Sequence, residues 1–242
     1  MQIVYLNHSG FLIQTEDKKV IVLDYFGDSS AHNGYLHSLF DKDYKFYLLS
    51  SHHHHDHFDR AILDFPVDNK TYILSDDILS TNTLGKDELA DNIHFIGKGG
   101  VFDDGSVVIK ACGSTDAGVS FVINVNDRCI FHAGDLNNWH WTDESSVAEI
   151  RAAGMYFKRE LGYVAGVTDH FDAVMFPVDP RMGSNFGLGA LQLVQRVKVD
   201  TFIPMHYWNL KDKAMDFGRK ELAPYVKRFV TIEGCGQIIN LD

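Results

Sequence analysis

Ser50-Ser51-His52-His53-His54-His55-Asp56-His57 is the stretch on which the reading of this 242-residue chain turns. It continues Asp43–Ser50, whose Phe46-Tyr47-Leu48-Leu49 has the apolar density of a buried strand. In extended backbone, residues two apart point to the same side, so His52 and His54 can converge on one cation. Where the chain then turns, Asp56 and His57 reach a second. Imidazole nitrogens and carboxylate oxygens suit Zn²⁺, and also Fe or Mn. His53 and His55 alternate with the ligand pair and should face away. A solvated His-rich loop is the plain alternative. A lone His-x-His would favour it; a six-position match directly after a strand does not.

The cluster supplies at most four ligands, so two ions need donors from elsewhere. Phe131-His132-Ala133-Gly134-Asp135 ends an apolar strand with a carboxylate after a glycine, placed to bridge two cations. Ile203-Pro204-Met205-His206 ends a later strand with a histidine. Each alone would read as structural. Beside the cluster, both read as ligands.

The composition sets the frame. Lys and Arg number 22 against 33 Asp and Glu, a formal charge of −11, with 45% hydrophobic residues and 23% charged. That is enough apolar material for a folded core, and it excludes a long disordered chain. No run approaches the roughly 20 apolar residues of a membrane-spanning helix. The acidic balance speaks against broad, charge-driven nucleic-acid binding. Cys112, Cys129 and Cys235 are odd in number and widely spaced, which excludes a disulfide framework and a Cys-rich zinc module. The sequence opens without a basic segment and a signal-length apolar stretch, so a cytoplasmic location is expected. With no repeat, linker or low-complexity tract, we expect one domain over residues 1–242, with a helical insertion near 143–162.

Short β-branched or alternating runs predict strands at Gln2–Leu6, Phe11–Thr15, Val20–Leu23, Tyr72–Leu74, Ile93–Ile96 and Val107–Ala111. Helical or irregular pieces fall near Asp59–Leu63 and Lys86–Leu89. Val119–Val125 and Arg128–His132 read as a hairpin about Asn126-Asp127. Ser146 followed by Glu149 is a capping box, and Val147, Ile150, Gly154, Phe157 and Leu161 share one helical face, predicting a helix over Ser146–Leu161. Strands at Ala173–Val178 and Thr201–Met205 and helices at Leu188–Val197 and Glu221–Phe229 complete the pattern. Strands in both halves, with helices between and after them, imply two sheets with helical cover.

Taken in order, His52-x-His54-x-Asp56-His57, Gly134-Asp135 and Pro204-Met205-His206 resemble the metallo-β-lactamase superfamily, above all the branch holding the L-ascorbate-6-phosphate lactonase and related metal-dependent hydrolases. The resemblance runs over nearly the whole chain. It includes Asp24, similar to the family's first-motif aspartate, which braces the metal loop, and Asp172–Pro177 as a late strand. It implies an α+β fold, a four-layer αββα sandwich with a dinuclear site at one edge of the sheets. It also implies a ligand set: His52 and His54 on one ion, Asp56, His57 and His206 on the other, and Asp135 bridging. Asp56 would further orient the nucleophile and shuttle a proton. Two divalent ions are expected, zinc first, with Mn or Fe as alternatives. One motif departs. The family places a histidine upstream of Gly-Asp, whereas Ala111-Cys112-Gly113-Ser114-Thr115-Asp116-Ala117-Gly118 contains none. Asp116 is the best substitute, Cys112 a weaker one, and His140 a third. A simple turn into the next strand is the alternative for Ser114–Asp116.

Two divalent ions against two carboxylates leave a net positive site in an acidic chain. This favours a small anionic substrate, such as a phosphorylated sugar lactone or a phosphodiester. Asn137, Trp139, His140 and Trp141 follow the bridging aspartate and are candidate substrate contacts; anchoring the next helix is their plain reading. Arg181 reads as a solvated loop arginine, with an anion contact as the alternative. The helix from Ser146 suits ordinary packing, and a homo-oligomer stays open. The expected activity is metal-dependent hydrolysis. A di-iron oxidoreductase on the same fold competes with it, but flavin-linked relatives resemble His-x-Glu-x-Asp-His and position 54 here is His. A non-catalytic metal binder and RNA processing are the remaining alternatives.

Overall fold

A computed structural model of the chain describes residues 1–26, 30–81, 83–85 and 89–241. Its strands are β1 (Gln2–Asn7), β2 (Gly10–Gln14), β3 (Lys19–Leu23), β4 (Lys45–Ser50), β5 (Lys70–Ser75), β6 (Ile93–Ile96) and β7 (Val101–Asp103). They continue as β8 (Val108–Gly113), β9 (Val119–Val125), β10 (Arg128–His132), β11 (His170–Pro177), β12 (Lys198–Met205), β13 (Arg228–Phe229) and β14 (Ile238–Asn240). The helices are α1 (Ser30–His37), α2 (Asp76–Ser80), α3 (Val147–Val167), α4 (Leu188–Arg196) and α5 (Lys211–Phe217). The chain is therefore α+β, as expected, and it divides into two compact units, Met1–Gly97 with Glu233–Asp242, and Lys98–Ile232.

Each unit contains one mixed seven-stranded sheet. In the first the order is β14-β1-β2-β3-β4-β5-β6, antiparallel as far as β3 and parallel from β3 to β6. In the second it is β13-β12-β11-β10-β9-β8-β7, parallel as far as β10 and antiparallel beyond. Parallel strands are covered on both faces and so read as continuous apolar runs rather than alternating ones. β4 shows this: every residue from Phe46 to Ser50 is buried. Loops leaving the C-terminal ends of such strands are where open sheets place binding groups. The histidine loop leaves β4, Gly134-Asp135 leaves β10 and His206 leaves β12.

The histidine loop is fastened at its far end by the core. Phe58, Ile62 and Phe65 join Val22, Leu48, Tyr72 and Leu74 in one buried cluster. At about 1.5–3 kcal/mol for each large apolar side chain buried, this fixes where the loop re-enters the fold. Asp59 caps the short 3-10 helix Arg60–Asp64. The hairpin of β9 and β10 turns on Asn126 (φ 50°) and Asp127 (φ 58°), the paired positive φ of a two-residue type I′ turn.

Boundaries differ where tertiary packing overrides local pattern. The Ser146–Glu149 capping box is present in full, but α3 runs on to Val167 instead of ending at Leu161. Val164 repeats the buried spacing after Phe157 and Leu161, while Gly162 and Gly166 lie on the exposed side. The helix expected near Glu221–Phe229 forms only over its first half, as irregular helical turns. The regular helix lies earlier, as α5, and continues through a wide turn at Gly218–Leu222 and a 3-10 turn at Ala223–Tyr225; Arg228–Phe229 then pairs with β12. Pro224, which lacks an N–H, stops the helical run. α1, α2, β7 and β14 carry too little periodicity to have been expected. The piece expected near Lys86–Leu89 lies outside the described residues at 86–88. No helix among the described residues is long and apolar enough to cross a membrane.

Candidate metal centre

In the first unit the backbone bends from Ser51 to His54 rather than staying extended, and these bends place His52 Nε2 3.0 Å from His54 Nδ1. Two imidazole nitrogens that face each other this closely can share one proton or one cation. The chain then turns, with His57 N–H and Phe58 N–H both donating to the His54 carbonyl. Asp56 and His57 are thereby brought round. The His57 ring is fully buried, and its Nδ1 lies 2.7 Å from Asp24 Oδ2. A carboxylate acceptor there calls for a proton on Nδ1, which in the neutral ring puts the lone pair on Nε2, 3.7 Å from Asp56 Oδ2. Asp24 also accepts from Ser51 N–H at 2.7 Å and Ser51 Oγ at 2.6 Å. It therefore braces both ends of the loop's first turn. Gly10 packs directly beneath it, since a Cβ at that position would meet the Asn7 and Asp24 carbonyl oxygens at 2.9 Å.

His8, which lies between two expected strands and in no motif, puts Nε2 3.3 Å from Asp56 Oδ2. The ligand atoms of His8, Asp56 and His57 lie within 4.8 Å of one another. His53 and His55 point elsewhere. His55 is 82% exposed, whereas His53 is pinned: its N–H at 3.0 Å and its Nδ1 at 2.7 Å both meet Asp77 Oδ2, on the first turn of α2.

In the second unit, β10 ends at His132 and the chain swings through Gly134, at φ 51°, to Asp135. His206 follows β12, its Nε2 3.4 Å from Asp135 Oδ1 and its Nδ1 3.1 Å from Asp179 Oδ2. Burial pushes the Asp179 carboxyl up, but hydrogen bonds from His206 and Arg181 outweigh it and hold the group below the usual carboxylate range. Asp116 is exposed, with its N–H on Ser114 Oγ at 3.3 Å, and a carboxylate oxygen of Asp116 lies within 4.8 Å of one of Asp135. Like charges this close repel unless a cation or a proton is near them. Cys112, the weaker candidate, is fully buried, and burial pushes its thiol up to about 12. That disfavours the thiolate a metal would require.

The aromatic segment after Asp135 divides. Trp139 Nε1 donates to the Asp135 carbonyl at 2.8 Å, and its ring lies 5.5 Å from that of His206. Trp141 stacks on Trp139 at 6.4 Å. Asn137 and His140 are buried. The Asn137 amide bonds Met182 Sδ and Asn138 N–H, and the ring nitrogens of His140 meet Thr142 and the Asn185 carbonyl. Both are thus engaged within the unit. His8 (φ 54°), Asp24 (φ 43°), Trp141 (φ 41°), His206 (φ 59°) and Trp208 (φ 49°) all adopt left-handed backbone. Asp179 was also missed. Its signal is positional: it follows β11 by two residues, as Asp24 directly follows β3.

The donors in each unit fit divalent metal ions: imidazoles with one nitrogen oriented by a carboxylate, and carboxylates gathered beside them.

Comparison with known proteins agrees. A model described as a β-lactamase superfamily domain matches residues 2–151. No curated protein matches the chain at the sequence level. Among solved structures, Igni18, a metallo hydrolase from Ignicoccus hospitalis, aligns over 98% of this chain and 97% of its own at 15% identity, with TM-score 0.67. The metallo-β-lactamase fold protein YhfI from Bacillus subtilis aligns over 99% of both chains at 14% identity, with TM-score 0.60. CmlA, a diiron β-hydroxylase from Streptomyces venezuelae, aligns over 94% of this chain but 52% of its own, at 12% identity and TM-score 0.59. Identities this low speak to fold alone. With more than half its length matched by the family model, the chain belongs to the metallo-β-lactamase superfamily.

Proposed function

We propose that the chain is a metal-dependent hydrolase acting on an ester, lactone or phosphodiester bond of a small anionic substrate, its two divalent ions held by the ligands that both units carry. The observation that supports this most is a repeated device. His57 and His206 each turn one ring nitrogen to an aspartate and the other toward a second carboxylate. Histidines serving only to fill a core have no need of that arrangement twice.

In this reading His52 and His54 hold one ion, with Asp116 as the further donor. Asp56, His57 and His206 would hold the other, Asp135 would be a further carboxylate donor, and His8 would steady Asp56. When bound, divalent ions acidify a water toward pKa 7 and polarise the oxygen of the scissile bond. Asp56 would hold and move a proton beside these ligands. Asp24 and Asp179 keep their histidines in the binding tautomer. Trp139 and Trp141 form an apolar wall for the substrate. The motif resemblance makes a sugar-phosphate lactone the first substrate to assay.

The test is metal analysis of purified protein followed by p-nitrophenyl phosphodiesters and a lactone panel. Two equivalents of zinc or manganese with hydrolysis of one class supports the reading. Full metal loading without any hydrolysis overturns it in favour of a binding protein. Bound iron with visible absorbance and oxygen turnover overturns it in favour of the redox chemistry carried by CmlA.

A further inference from the structure

We propose that Arg181, laid against the Trp208 ring beside His206, is the oxyanion-binding element of this site and takes a phosphate or carboxylate group of the substrate. The inference deepens the hydrolase reading and rests on His206 being a ligand there. The guanidinium is held on one edge and one face. Nε bonds both Asp179 oxygens, at 3.0 and 3.1 Å, and Nη2 bonds Oδ2. The Arg181 backbone N–H adds a bond to Asp179 Oδ1 at 3.0 Å. Cζ sits 4.8 Å from the centroid of Trp208.

What remains is free to bind. Nη1 carries no hydrogen bond to any described residue, and the side chain is 40% exposed. A stabilising role accounts for the edge facing Asp179. It leaves the stack on Trp208 and the open edge unexplained. An arginine already fixed in one rotamer loses little further entropy when an oxyanion docks, and its planar fork matches oxyanion geometry. Asp179 cancels the net charge of Arg181 but not its outward N–H donors.

Position and strain point the same way. Asp179 bonds His206 Nδ1 as well as Arg181, so one carboxylate fixes the imidazole and the guanidinium relative to each other. Trp208 stands edge-on to His206 at 6.2 Å and 88°. Both residues sit in left-handed backbone, at 59° and 49°. Strain of about 1–3 kcal/mol per such residue persists where surrounding structure enforces it, commonly at ligand-binding sites. Here it buys the turn that sets Trp208 under Arg181.

The test treats the zinc-loaded protein with phenylglyoxal in phosphate, in acetate or in chloride at equal ionic strength, and follows each arginine by peptide mass spectrometry. Arg181 should react several-fold more slowly in phosphate or acetate than in chloride. Arg151 and Arg196, both exposed, should react alike in all three. Protection by phosphate alone assigns a phosphate-bearing ligand, and by acetate alone a carboxylate. One Arg181 rate in every salt overturns the proposal. In parallel, calorimetric titration with inorganic phosphate should show binding about tenfold weaker or worse in R181Q and R181K at unchanged zinc content. Wild-type phosphate affinity in both variants, with full zinc, also overturns it. The hydrolase reading fails separately: protection of Arg181 in a protein that hydrolyses nothing would leave an anion site without that enzyme.

Discussion

His57 and His206 solve one problem in two ways. Each gives its Nδ1 to an aspartate just beyond a parallel strand, yet the aspartates are supported differently. Asp24 is fully buried and also accepts from the backbone and hydroxyl of Ser51. Asp179 is equally buried but bonded to the guanidinium of a half-exposed arginine. A carboxylate supported by neutral donors depends on every one of them, because burial alone disfavours its charge. One clamped by a guanidinium has a charged partner that can still turn to water. The first brace should therefore be brittle and the second tolerant.

The largest effect expected is on chemistry. His57→Ala should lower bound metal and abolish hydrolysis, as read by metal analysis and assay. His53→Ala, which removes the ring's bond to Asp77 and its contact with the His54 ring, should cost about 1 kcal/mol in urea unfolding and keep most of the metal. Equal effects from the two would erase the distinction between ligand and support. Next comes the comparison itself. Asp24→Ala strands buried donors from Ser51 and His57 and should cost about 3–5 kcal/mol, whereas Asp179→Ala should cost about 1–3 kcal/mol because Arg181 can resolvate. Matching urea midpoints for the two variants would break the contrast.

Asp116→Ala should weaken one ion of the pair by about 10-fold or more while leaving the melting temperature nearly unchanged, since the residue is exposed. Unchanged metal affinity would make Ser114–Asp116 a plain turn. The smallest effect provides an exposed ionic reference. Burial pushes the Asp200 carboxyl up, but bonds from Lys227 at 2.8 Å and His170 at 3.0 Å outweigh it and hold the group low. A carboxyl lowered by folding adds stability above its unfolded pKa of about 4, and that stability is lost as pH falls through the folded value. Asp200→Asn should therefore cost about 0.5 kcal/mol or less at neutral pH and nothing in strong acid, as urea unfolding at both will report.

The parts of the site that were legible are those written in local period. His52 and His54 stand out by their two-residue spacing, although the backbone that brings them together bends instead of staying extended, and Asp135 and His206 stand out by their places after apolar runs. The β9–β10 hairpin was legible because two residues that tolerate positive φ separate two strands. His8 and Asp179 were not. Each acquires meaning only from a distant partner: His8 from Asp56, Asp179 from His206 and from an arginine that reads as a loop residue. His53 was read as pointing away, which it does, but its tie to Asp77 depends on β4 lying beside β5. Strand cores were predicted closely. Helix ends were not, because Val164 and Pro224 act through packing and the missing N–H rather than through the pattern of the preceding turns.

The left-handed backbone at His8, Asp24, Trp141, His206 and Trp208 also bears on how this protein would respond to selection for heat resistance. At Trp141 and Trp208, the two less buried of these positions, replacement by glycine would relieve about 1 kcal/mol of backbone strain, whereas at Asp24 the stranded donors outweigh any such relief. Each such gain would delete an aromatic surface beside the proposed ligands. Variants evolved purely for thermal endurance should thus accumulate glycines around the metal loops and lose turnover as they harden, a trade that a screen scoring melting and catalysis together would expose.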